Sequence, residues 1–587
     1  MKPKNYRHIF SIVCCLVVLI QTVKSQSFLK ANGKMIIDGS GKEIILRGMG
    51  LGGWMLQEPY MLQVGGAAGT QQEIRNRIEG SIGKERTEIF YNKWLANHCR
   101  KIDIDSMAAW GFNSVRLPMH YNLFTPPIEQ EPQPGKITWI EKGFALTDSL
   151  LNWCKANKLY LILDLHAAPG GQGNDRAISD RDTTKPSLWQ SEANRQKTVA
   201  PWKKLAERYA NEEWIGGYDL INETNWGFQD VNDKNGCAEK LNEPLRKHLV
   251  EITNAIREVD KNHIIYLEAN CWANNYSGIF PLWDKNLVVS FHKYWNYNTQ
   301  QSIENFIKIR DEHNVPIWLG ESGENSNVWF TGAIELLEKN KIGWAWWPLK
   351  KLGYNNPMQI KQNKVYQQLV DNWRGKGEKV SSDDAYKALM QFTEDIKAEN
   401  TIFRKDVVDA MFRQVHTTKT IPFKNHLLKP NAIVYAVDYD LGRNGYAYSD
   451  KDTGNYWVSN GNRTSGNKGS MYRNDGVDIT ECSDAISSGY AVSSIEPGEW
   501  LEYTLNTKQA GLYDVQIRSS SKDSIGAIAL FVNNLTAAKE VILPKTQPNK
   551  FSTVTIKNIR FKKGNNTLRV DILSGGFDLN YLKFVKR

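Results

Sequence analysis

The sequence predicts an α/β fold, a (β/α)₈ TIM barrel, followed by a C-terminal all-β sandwich of the jelly-roll type. Strand and helix signals alternate from about residue 36 to residue 350, which is the pattern of a sheet built from βα units. The strand-like segments in this range number eight, as a closed barrel requires. From Ala432 onward the chain becomes rich in short strand signals, a spacing typical of a β-sandwich.

The composition is that of an ordinary globular protein with more than one domain. A chain of 587 residues is too long for a single hydrophobic core and suggests about two to four domains. Its formal charge is +10, but lysine and arginine are spread along the chain without a run of five or more. This pattern indicates a solvated basic surface, so we expect no nucleic-acid partner. The 20 tryptophans and 24 tyrosines suit stacking on sugar rings, although a large core also absorbs such residues.

The first 25 residues have the features of an export signal. Lys2 and Arg7 precede an apolar run from Ile9 to Ile20, and the segment ends in small residues near Ser25. This is the pattern of a cleaved signal peptide. Because the apolar run is too short to span a bilayer, we expect no membrane insertion. The expected location is extracytoplasmic: secreted, periplasmic or at the cell surface.

The domain boundaries follow from changes in pattern along the chain. We place the signal peptide at residues 1–25, the barrel at 27–375, a helical extension or linker at 376–430 and the β-sandwich at 431–587. The helical signals of the extension lie between residues 382 and 416 and have the apolar spacing of amphipathic helices. No function follows from its residues.

Eight segments rich in β-branched and aromatic residues are the candidate barrel strands. Amphipathic stretches such as residues 139–156 and 194–211 lie between them and are long enough for crossover helices. Glu223 is expected to end strand four and Glu321 strand seven, on the barrel face where the carboxyl ends of all strands meet. The candidate strands are residues 44–48, 114–118, 160–166, 217–223, 264–269, 287–292, 317–321 and 343–347.

Two glutamates that converge on one barrel face have a defined chemistry. Cleavage of a glycosidic bond requires one carboxyl group to protonate the leaving oxygen, and a second to attack the sugar or to activate water against it. The motifs at residues 217–223 and 317–323 each end a strand signal with such a carboxylate. They therefore indicate a glycosidase.

At these positions the chain resembles glycoside hydrolase family 5, over roughly residues 36–350. The resemblance implies a retaining enzyme in which Glu223 is the acid/base and Glu321 the nucleophile of a double displacement. It also implies that Asn222 holds the sugar 2-hydroxyl and that Arg116 and Tyr294 lie close to the nucleophile. The residues that carry the resemblance are Arg116, His166, Asn222, Glu223, His292, Tyr294, Glu321 and Trp347.

Elementary electrostatics leads to matching roles. A nucleophilic Glu321 must stay ionised, and a guanidinium and a tyrosine hydroxyl nearby both favour its charged form. An acid/base Glu223 needs partial desolvation, which keeps its proton near neutral pH. Trp347 can form an apolar floor under the sugar, and His292 can orient Glu223 or bind a hydroxyl.

Residues 164–172 favour a β-glucan as the substrate. This segment resembles its counterpart in family 5 enzymes that act on β-1,3-glucans and related β-glucans. We therefore expect a β-glucanase or β-glucosidase acting on a polymer or oligosaccharide of β-1,3-, β-1,6- or β-1,4-linked glucose. A β-mannanase and a non-catalytic polysaccharide-binding protein are the alternatives, and endo or exo action stays open.

The remaining patterns imply no cofactor and no metal. Five cysteines follow the signal peptide, and their odd number leaves at least one unpaired within the chain. Residues 48–53 satisfy the dinucleotide pattern G-x-G-x-x-G, but no clear βαβ unit follows, so we interpret them as the loop after strand one. A monomer is the default expectation, and the sequence leaves the oligomeric state open.

Four segments of the C-terminal region, residues 439–442, 472–479, 498–503 and 576–581, resemble carbohydrate-binding module family 6. The resemblance covers about residues 431–587 and implies a sugar cleft in which Tyr472 contacts the ligand. The second aromatic residue and the calcium-binding glutamates of that family have no clear counterpart in this chain. Sugar binding and a docking or spacer role are therefore both open for this domain.

Overall fold

The computed structural model describes residues 27–452, 467–521, 524–547 and 550–587. The predicted signal peptide lies outside these ranges. Within them, no helix combines the length and the apolarity needed to cross a membrane.

Eight parallel strands close into the predicted barrel, which confirms the fold class. Each strand pairs with the next along the chain, and the eighth pairs with the first, for example Ala345 with Gly48. The third strand is buried along its whole length, as expected where helices cover a parallel sheet. The barrel strands are Arg47–Gly50, Ser114–His120, Tyr160–Ala167, Ile215–Asp219, Ile265–Leu267, Leu287–His292, Ile317–Gly323 and Gly343–Trp347.

Two strand boundaries differ from the prediction by three residues or more. The first strand begins at Arg47, three residues later than expected, because its pairing with strand eight begins at the Arg47–Trp344 pair. The fourth strand ends at Asp219, where its pairing with strand five stops. The prediction that Glu223 ends strand four was therefore wrong: Glu223 lies on the loop that follows.

Amphipathic helices connect the strands and cover the barrel. The helix Glu243–Val259 shows the principle, since Leu245, Leu249, Ile252 and Ile256 lie on one face and are buried. The two stretches predicted to be crossover helices form Glu141–Ala156 and Glu192–Tyr209. The other helices of this region are Gln71–Ile82, Lys84–His98, Lys101–Trp110, Arg176–Ser179, Asn270–Ala273, Glu304–His313, Asn327–Lys339 and Lys364–Trp373.

The predicted helical extension packs on the barrel helices. Its first helix lies against Lys84–His98, where the Asn97 side-chain amide donates to the carbonyl of Thr393 at 2.8 Å. A short strand of the extension joins a three-stranded sheet with two segments that follow the barrel. The helices are Ser382–Asp395, Lys405–Met411 and Arg413–His416, and the strands of the small sheet are Lys350–Leu352, Met358–Ile360 and Ile402–Phe403.

The C-terminal region forms two six-stranded β-sheets, as predicted. In the strand Trp500–Thr507 every second residue is buried, which is the period of a sheet with one face on a core. One sheet contains His426–Leu428, Tyr448–Ser449, Trp500–Thr507, Gly526–Val532, Leu535–Leu543 and Gly564–Ser574, and the other contains Ala432–Tyr435, Ile479–Glu481, Tyr490–Val492, Gly511–Ser520, Ser552–Phe561 and Asp578–Lys586.

A buried polar network joins barrel, extension and sandwich. Asp406 of the extension accepts hydrogen bonds from the Asn474 backbone amide at 2.8 Å and from the Asn327 side chain at 3.0 Å. The backbone amide of Asn327 donates to the Asn474 carbonyl at 2.6 Å. The Asn474 side chain donates to the carbonyl of Asn325 at 2.9 Å. These residues hold the sandwich against the loop that follows strand seven.

We expect the substitution Asp406→Ala to lower the free energy of unfolding by about 3–5 kcal/mol, because it leaves buried N–H groups and the guanidinium of Arg404 without their acceptor. Arg404 lies 3.3 Å from Asp406, and both side chains are buried. Urea unfolding of the whole chain measures the change. Asp383→Ala is the matched control, since Asp383 forms an exposed ion pair with Arg86, worth less than about 1 kcal/mol. Equal losses in the two variants would contradict a structural role for the buried network.

Candidate active site

The two predicted glutamates face each other at the carboxyl ends of the barrel strands. One oxygen of Glu223, one oxygen of Glu321 and a ring nitrogen of His292 all lie within 4.8 Å of one another. Glu321 lies within strand seven, whereas Glu223 lies four residues past the end of strand four with a left-handed φ of +42°. That conformation costs a non-glycine residue about 1–3 kcal/mol and needs support from its surroundings.

Arg116 on strand two occupies the centre of the site. Its Nη1 donates to Glu321 Oε2 at 2.7 Å. Its Nη2 donates to Glu268 at 2.8 Å and to the Asn222 side-chain oxygen at 2.9 Å, and its Nε donates to Asp219 at 3.0 Å. Burial opposes the charge of Arg116, but the surrounding carboxylates outweigh it and raise its pKa well above the usual value. The guanidinium therefore stays charged and fixes the positions of three acidic side chains.

Tyr294 provides the second predicted contact to Glu321. Its hydroxyl donates to Glu321 Oε1 at 2.6 Å, while Arg116 binds the other oxygen. Both oxygens of Glu321 therefore accept a hydrogen bond, which fixes the orientation of the carboxylate. A carboxylate held in this way is a competent nucleophile.

Glu223 has a different environment. It is buried, and its Oε1 lies 2.6 Å from His292 Nδ1. Burial raises the pKa of Glu223 to about 6; His292 acts in the opposite direction, and the charge of Glu321 adds to the increase. The two glutamates therefore lie in different environments, as is required if one is to act as an acid and the other as a nucleophile.

Asn222 and His166 lie on the other side of Arg116. Asn222 is fully buried, and its side-chain nitrogen lies 3.3 Å from His166 Nε2. The other ring nitrogen of His166 lies 2.8 Å from Asp164. Gln172, from the predicted substrate segment, donates to the carbonyl of Asn222 at 2.9 Å. The loop after strand three thus supports the residue that precedes Glu223.

Trp347 ends strand eight and stacks on His166, with ring centroids 5.0 Å apart and planes inclined by 5°. Its indole nitrogen donates to the Tyr60 hydroxyl at 2.9 Å. A Cβ atom on Gly50 or Gly52 would approach the Trp347 ring to 2.5 or 2.6 Å, so both positions need glycine. The glycine-rich segment therefore makes room for Trp347, as part of strand one and the loop after it.

Several site residues were missed by sequence reasoning. Glu268 follows strand five, and Asp164 and Asp219 lie on strands three and four; all three are fully buried around Arg116. Glu58 lies 3.8 Å from His166, and burial raises its pKa to about 7. A carboxylate inside an apolar strand signal was the available cue, because such a side chain is buried only with a partner.

A disulfide braces the wall beside Glu223. It joins Cys237, on the loop after strand four, to Cys271, which follows strand five. Next to it, the Trp272 amide donates to the carbonyl of Thr224 at 3.1 Å. Cys99, Cys154 and Cys482 are buried free thiols, in agreement with the odd number of cysteines. The spacing of the cysteines did not predict this pair.

Tyr472, the predicted sugar contact of the sandwich, is half-buried and in contact with its own region. Its ring lies 5.0 Å from that of Tyr490 and 5.9 Å from that of Phe423. Its hydroxyl donates to Asp438 and accepts a hydrogen bond from Lys424 at 2.8 Å. A sugar-binding role for Tyr472 stays a prediction.

Comparison with known proteins supports the predicted family for the barrel. Residues 76–353 match the family model Cellulase (glycosyl hydrolase family 5), and residues 473–584 match Carbohydrate binding module (family 35). The prediction of family 6 for the C-terminal module was therefore wrong, although both families are carbohydrate-binding modules. The sequence already differed from family 6, because the second aromatic residue and the calcium-binding glutamates of that family have no clear counterpart in this chain.

Curated relatives carry glycosidase names. A beta-xylosidase of Phanerodontia chrysosporium is 25% identical over 61% of this chain and 78% of its own length. Endoglucanase C of Acetivibrio thermocellus is 25% identical over 46% of this chain and 88% of its own length. A probable glucan 1,3-beta-glucosidase A of Aspergillus niger is 29% identical over 31% of this chain and 42% of its own length. With the family 5 match, these relatives confirm the predicted enzyme class, a glycoside hydrolase.

The substitution Arg116→Met should lower the free energy of unfolding by about 3–5 kcal/mol, because it leaves buried carboxylates without their common cation. Urea unfolding measures the loss. Arg208→Met is the matched control, since Arg208 pairs with Asp148 where both side chains are about one-third exposed and such a pair contributes roughly 0–1 kcal/mol. If Arg116→Met were no more costly than Arg208→Met, the guanidinium would not be holding the carboxylates in place.

Proposed function

We propose that this glycoside hydrolase cleaves a β-glucan with retention of configuration, with Glu223 as the acid/base and Glu321 as the nucleophile. One observation carries the proposal: oxygens of the two carboxyl groups lie within 4.8 Å of each other. Retaining glycosidases hold their carboxyl groups about 5–5.5 Å apart, whereas inverting enzymes leave roughly 6.5–9.5 Å for a water molecule. The short separation supports direct attack by a carboxylate.

In the first step, a Glu321 oxygen attacks the anomeric carbon while the bond from that carbon to the leaving oxygen breaks. Glu223 gives its proton to the leaving oxygen. Arg116 and Tyr294 hold the Glu321 carboxylate in position until attack. The products of the step are a glycosyl ester on Glu321, a free sugar hydroxyl on the leaving group and an ionised Glu223.

In the second step, Glu223 takes a proton from a water molecule whose oxygen attacks the anomeric carbon from the face vacated by the leaving group. The bond to Glu321 breaks, and its carboxylate returns to Arg116 and Tyr294. Two displacements at one carbon restore the original configuration. The pKa of Glu223, about 6, suits both giving and taking a proton near neutral pH.

A β-glucan is the substrate class that the chain supports best. The loop at residues 164–172 resembles that of β-glucan-cleaving enzymes, and two of the relatives are named for activity on glucans. The relative that covers the largest share of this chain among those described above is named a beta-xylosidase, so β-xylosides are the second candidate. β-Mannans, the substrates of a β-mannanase, are the third candidate.

An extracytoplasmic location is part of the proposal. The export signal predicted for the first 25 residues is one reason for it. The disulfide between Cys237 and Cys271 is a second, since disulfides persist in oxidising compartments. A carbohydrate-binding module raises the local concentration of a polymeric substrate only where such a polymer is present.

The substitution Glu321→Gln should lower kcat on the preferred glucan by about a thousandfold or more, since it removes the nucleophile of a group that acts as a unit. The assay uses laminarin, pustulan, cellulose, xylan and mannan, with Glu312→Gln on the exposed face of helix Glu304–His313 as the matched control. Undiminished hydrolysis by Glu321→Gln would remove this residue from the mechanism.

Azide separates the roles of the two glutamates. With an aryl β-glucoside, Glu223→Ala plus azide should yield a β-glycosyl azide, because azide attacks the glycosyl ester on Glu321. Glu321→Ala plus azide should yield the α-glycosyl azide, because azide replaces the missing nucleophile. NMR of the anomeric proton identifies each product. Exchanged products would reverse the two assignments, and α-configured sugar from the wild-type enzyme would exclude retention.

The rate constant kcat/KM should fall as the pH rises through about 6, because the first step needs Glu223 in its protonated form and burial raises its pKa to that value. A pH profile on the glucan measures this limb. The limb should disappear in the residual activity of Glu223→Gln, whose amide does not titrate. A limb that persists unchanged in that variant would belong to another group.

A further inference from the structure

We propose that Glu268 is a positioning residue for the acid/base, which it orients through the backbone of Glu223 and through His292. The inference rests on the proposed function of Glu223. Glu268 directly follows the fifth strand, Ile265–Leu267, and is fully buried. Its side chain contacts three residues of the site, Glu223, Arg116 and His292.

Both oxygens of Glu268 are engaged. Oε2 accepts the backbone N–H of Glu223 at 2.7 Å. Oε1 accepts a hydrogen bond from Arg116 Nη2 at 2.8 Å and lies 3.2 Å from His292 Nε2. Because both oxygens bind protein partners and the side chain is fully buried, its effect on a substrate passes through Glu223, Arg116 and His292.

The backbone contact fixes the direction of the Glu223 side chain. Glu223 has a left-handed φ of +42°, a conformation that an L residue adopts only when its surroundings hold it. The amide of Glu223 is buried and needs an acceptor, and Glu268 provides one with a charge. The short, charge-assisted contact therefore holds the peptide plane from which Glu223 reaches the leaving oxygen.

The histidine contact determines which ring nitrogen faces Glu223. A carboxylate beside Nε2 keeps a proton on that atom, so Nδ1 is the atom directed at Glu223, 2.6 Å away. Burial opposes a charge on His292, but Glu268, Glu321 and Glu223 together raise its pKa well above the usual value, and the charge of Glu268 is the largest single cause of the increase. Glu268 thus supports the imidazolium that donates to Glu223.

Charged groups around Glu268 and His292 come from four other strands. Arg116, Asp164, Asp219 and Glu321 lie on strands two, three, four and seven. Glu268 differs from these groups because it contacts both the Glu223 backbone and the His292 ring. Removing the charge of Glu268 changes the environment of His292, the partner of Glu223, while Arg116 still binds Glu321.

The test compares Glu268→Gln with wild type on two substrates, the glucan and a 2,4-dinitrophenyl β-glucoside, whose leaving group departs without a proton. A misplaced acid slows the first step for the glucan and spares it for the activated glucoside. We expect kcat/KM on the glucan to fall about a hundredfold, within the range of general acid catalysis, and to fall less than about tenfold on the activated glucoside. The basic limb of the pH profile should move to higher pH, because a neutral His292 no longer lowers the pKa of Glu223, and this change outweighs the loss of the smaller increase that the charge of Glu268 causes.

Asp260→Asn is the matched control. Asp260 forms a buried carboxylate–histidine pair with His263 just before strand five, away from Glu223. We expect it to lower stability without separating the two substrates. If Glu268→Gln folds poorly, Glu268→Asp replaces it in the test, because it keeps the charge but shortens the side chain. It should show the same difference between the two substrates, with a smaller shift of the basic limb of the pH profile.

Equal losses on both substrates, or a limb that stays in place or moves to lower pH, would overturn the proposal. Glu223→Gln, assayed beside these variants, keeps this outcome distinct from failure of the proposed function. If Glu223→Gln itself loses activity equally on both substrates, Glu223 is not the acid. If Glu223→Gln spares the activated glucoside and Glu268→Gln does not, the error lies in the role given to Glu268 alone.

Discussion

The charge of one buried guanidinium holds the site together. Arg116 donates to Glu321, Glu268, Asn222 and Asp219, which come from strand seven, the end of strand five, the loop after strand four and strand four itself. A planar fork with five N–H donors can satisfy such a set, whereas a lysine ammonium cannot. Without this cation, the carboxylates that meet at the end of the barrel would repel one another in a medium of low polarity. The closed barrel and the arginine therefore depend on each other: the strands bring the acids together, and the guanidinium makes their burial tolerable.

The environments of the two glutamates differ in ways that separate their chemistry. Glu321 lies in a strand and accepts two hydrogen bonds, one from the guanidinium of Arg116 and one from the hydroxyl of Tyr294. Glu223 lies on a loop in a left-handed conformation, buried and paired with a histidine. Burial raises its pKa to about 6, where proton donation and proton uptake are both possible. The loop position allows this, because a residue outside the sheet can be held by a neighbour such as Glu268 rather than by the strand ladder.

A buried polar network attaches the module to the barrel. Asp406 and Asn474 bind Asn327 and Asn325, which lie beyond strand seven, six and four positions after Glu321. The buried network supports the docking role that the sequence left open, while sugar binding at Tyr472 stays a prediction. The incomplete match to family 6 agrees with the match to family 35 instead, and the polar contacts with the barrel involve Asn474, two residues beyond Tyr472.

The sequence by itself determined the barrel, its eight strands and the identity of the two glutamates with their partners Arg116, Tyr294 and His292. The barrel and the two glutamates are written in local patterns, namely alternation of strand and helix and a carboxylate at the end of an apolar strand, whereas the three partners followed from the resemblance to family 5. Only the tertiary structure decided that Glu223 lies beyond its strand, that Glu268 binds its backbone, that Cys237 pairs with Cys271 and that Asp406 meets Asn474. Each of these contacts joins residues distant along the chain, and neither partner carries a local signal of the other, because their distance is set by barrel closure and by the packing of the module.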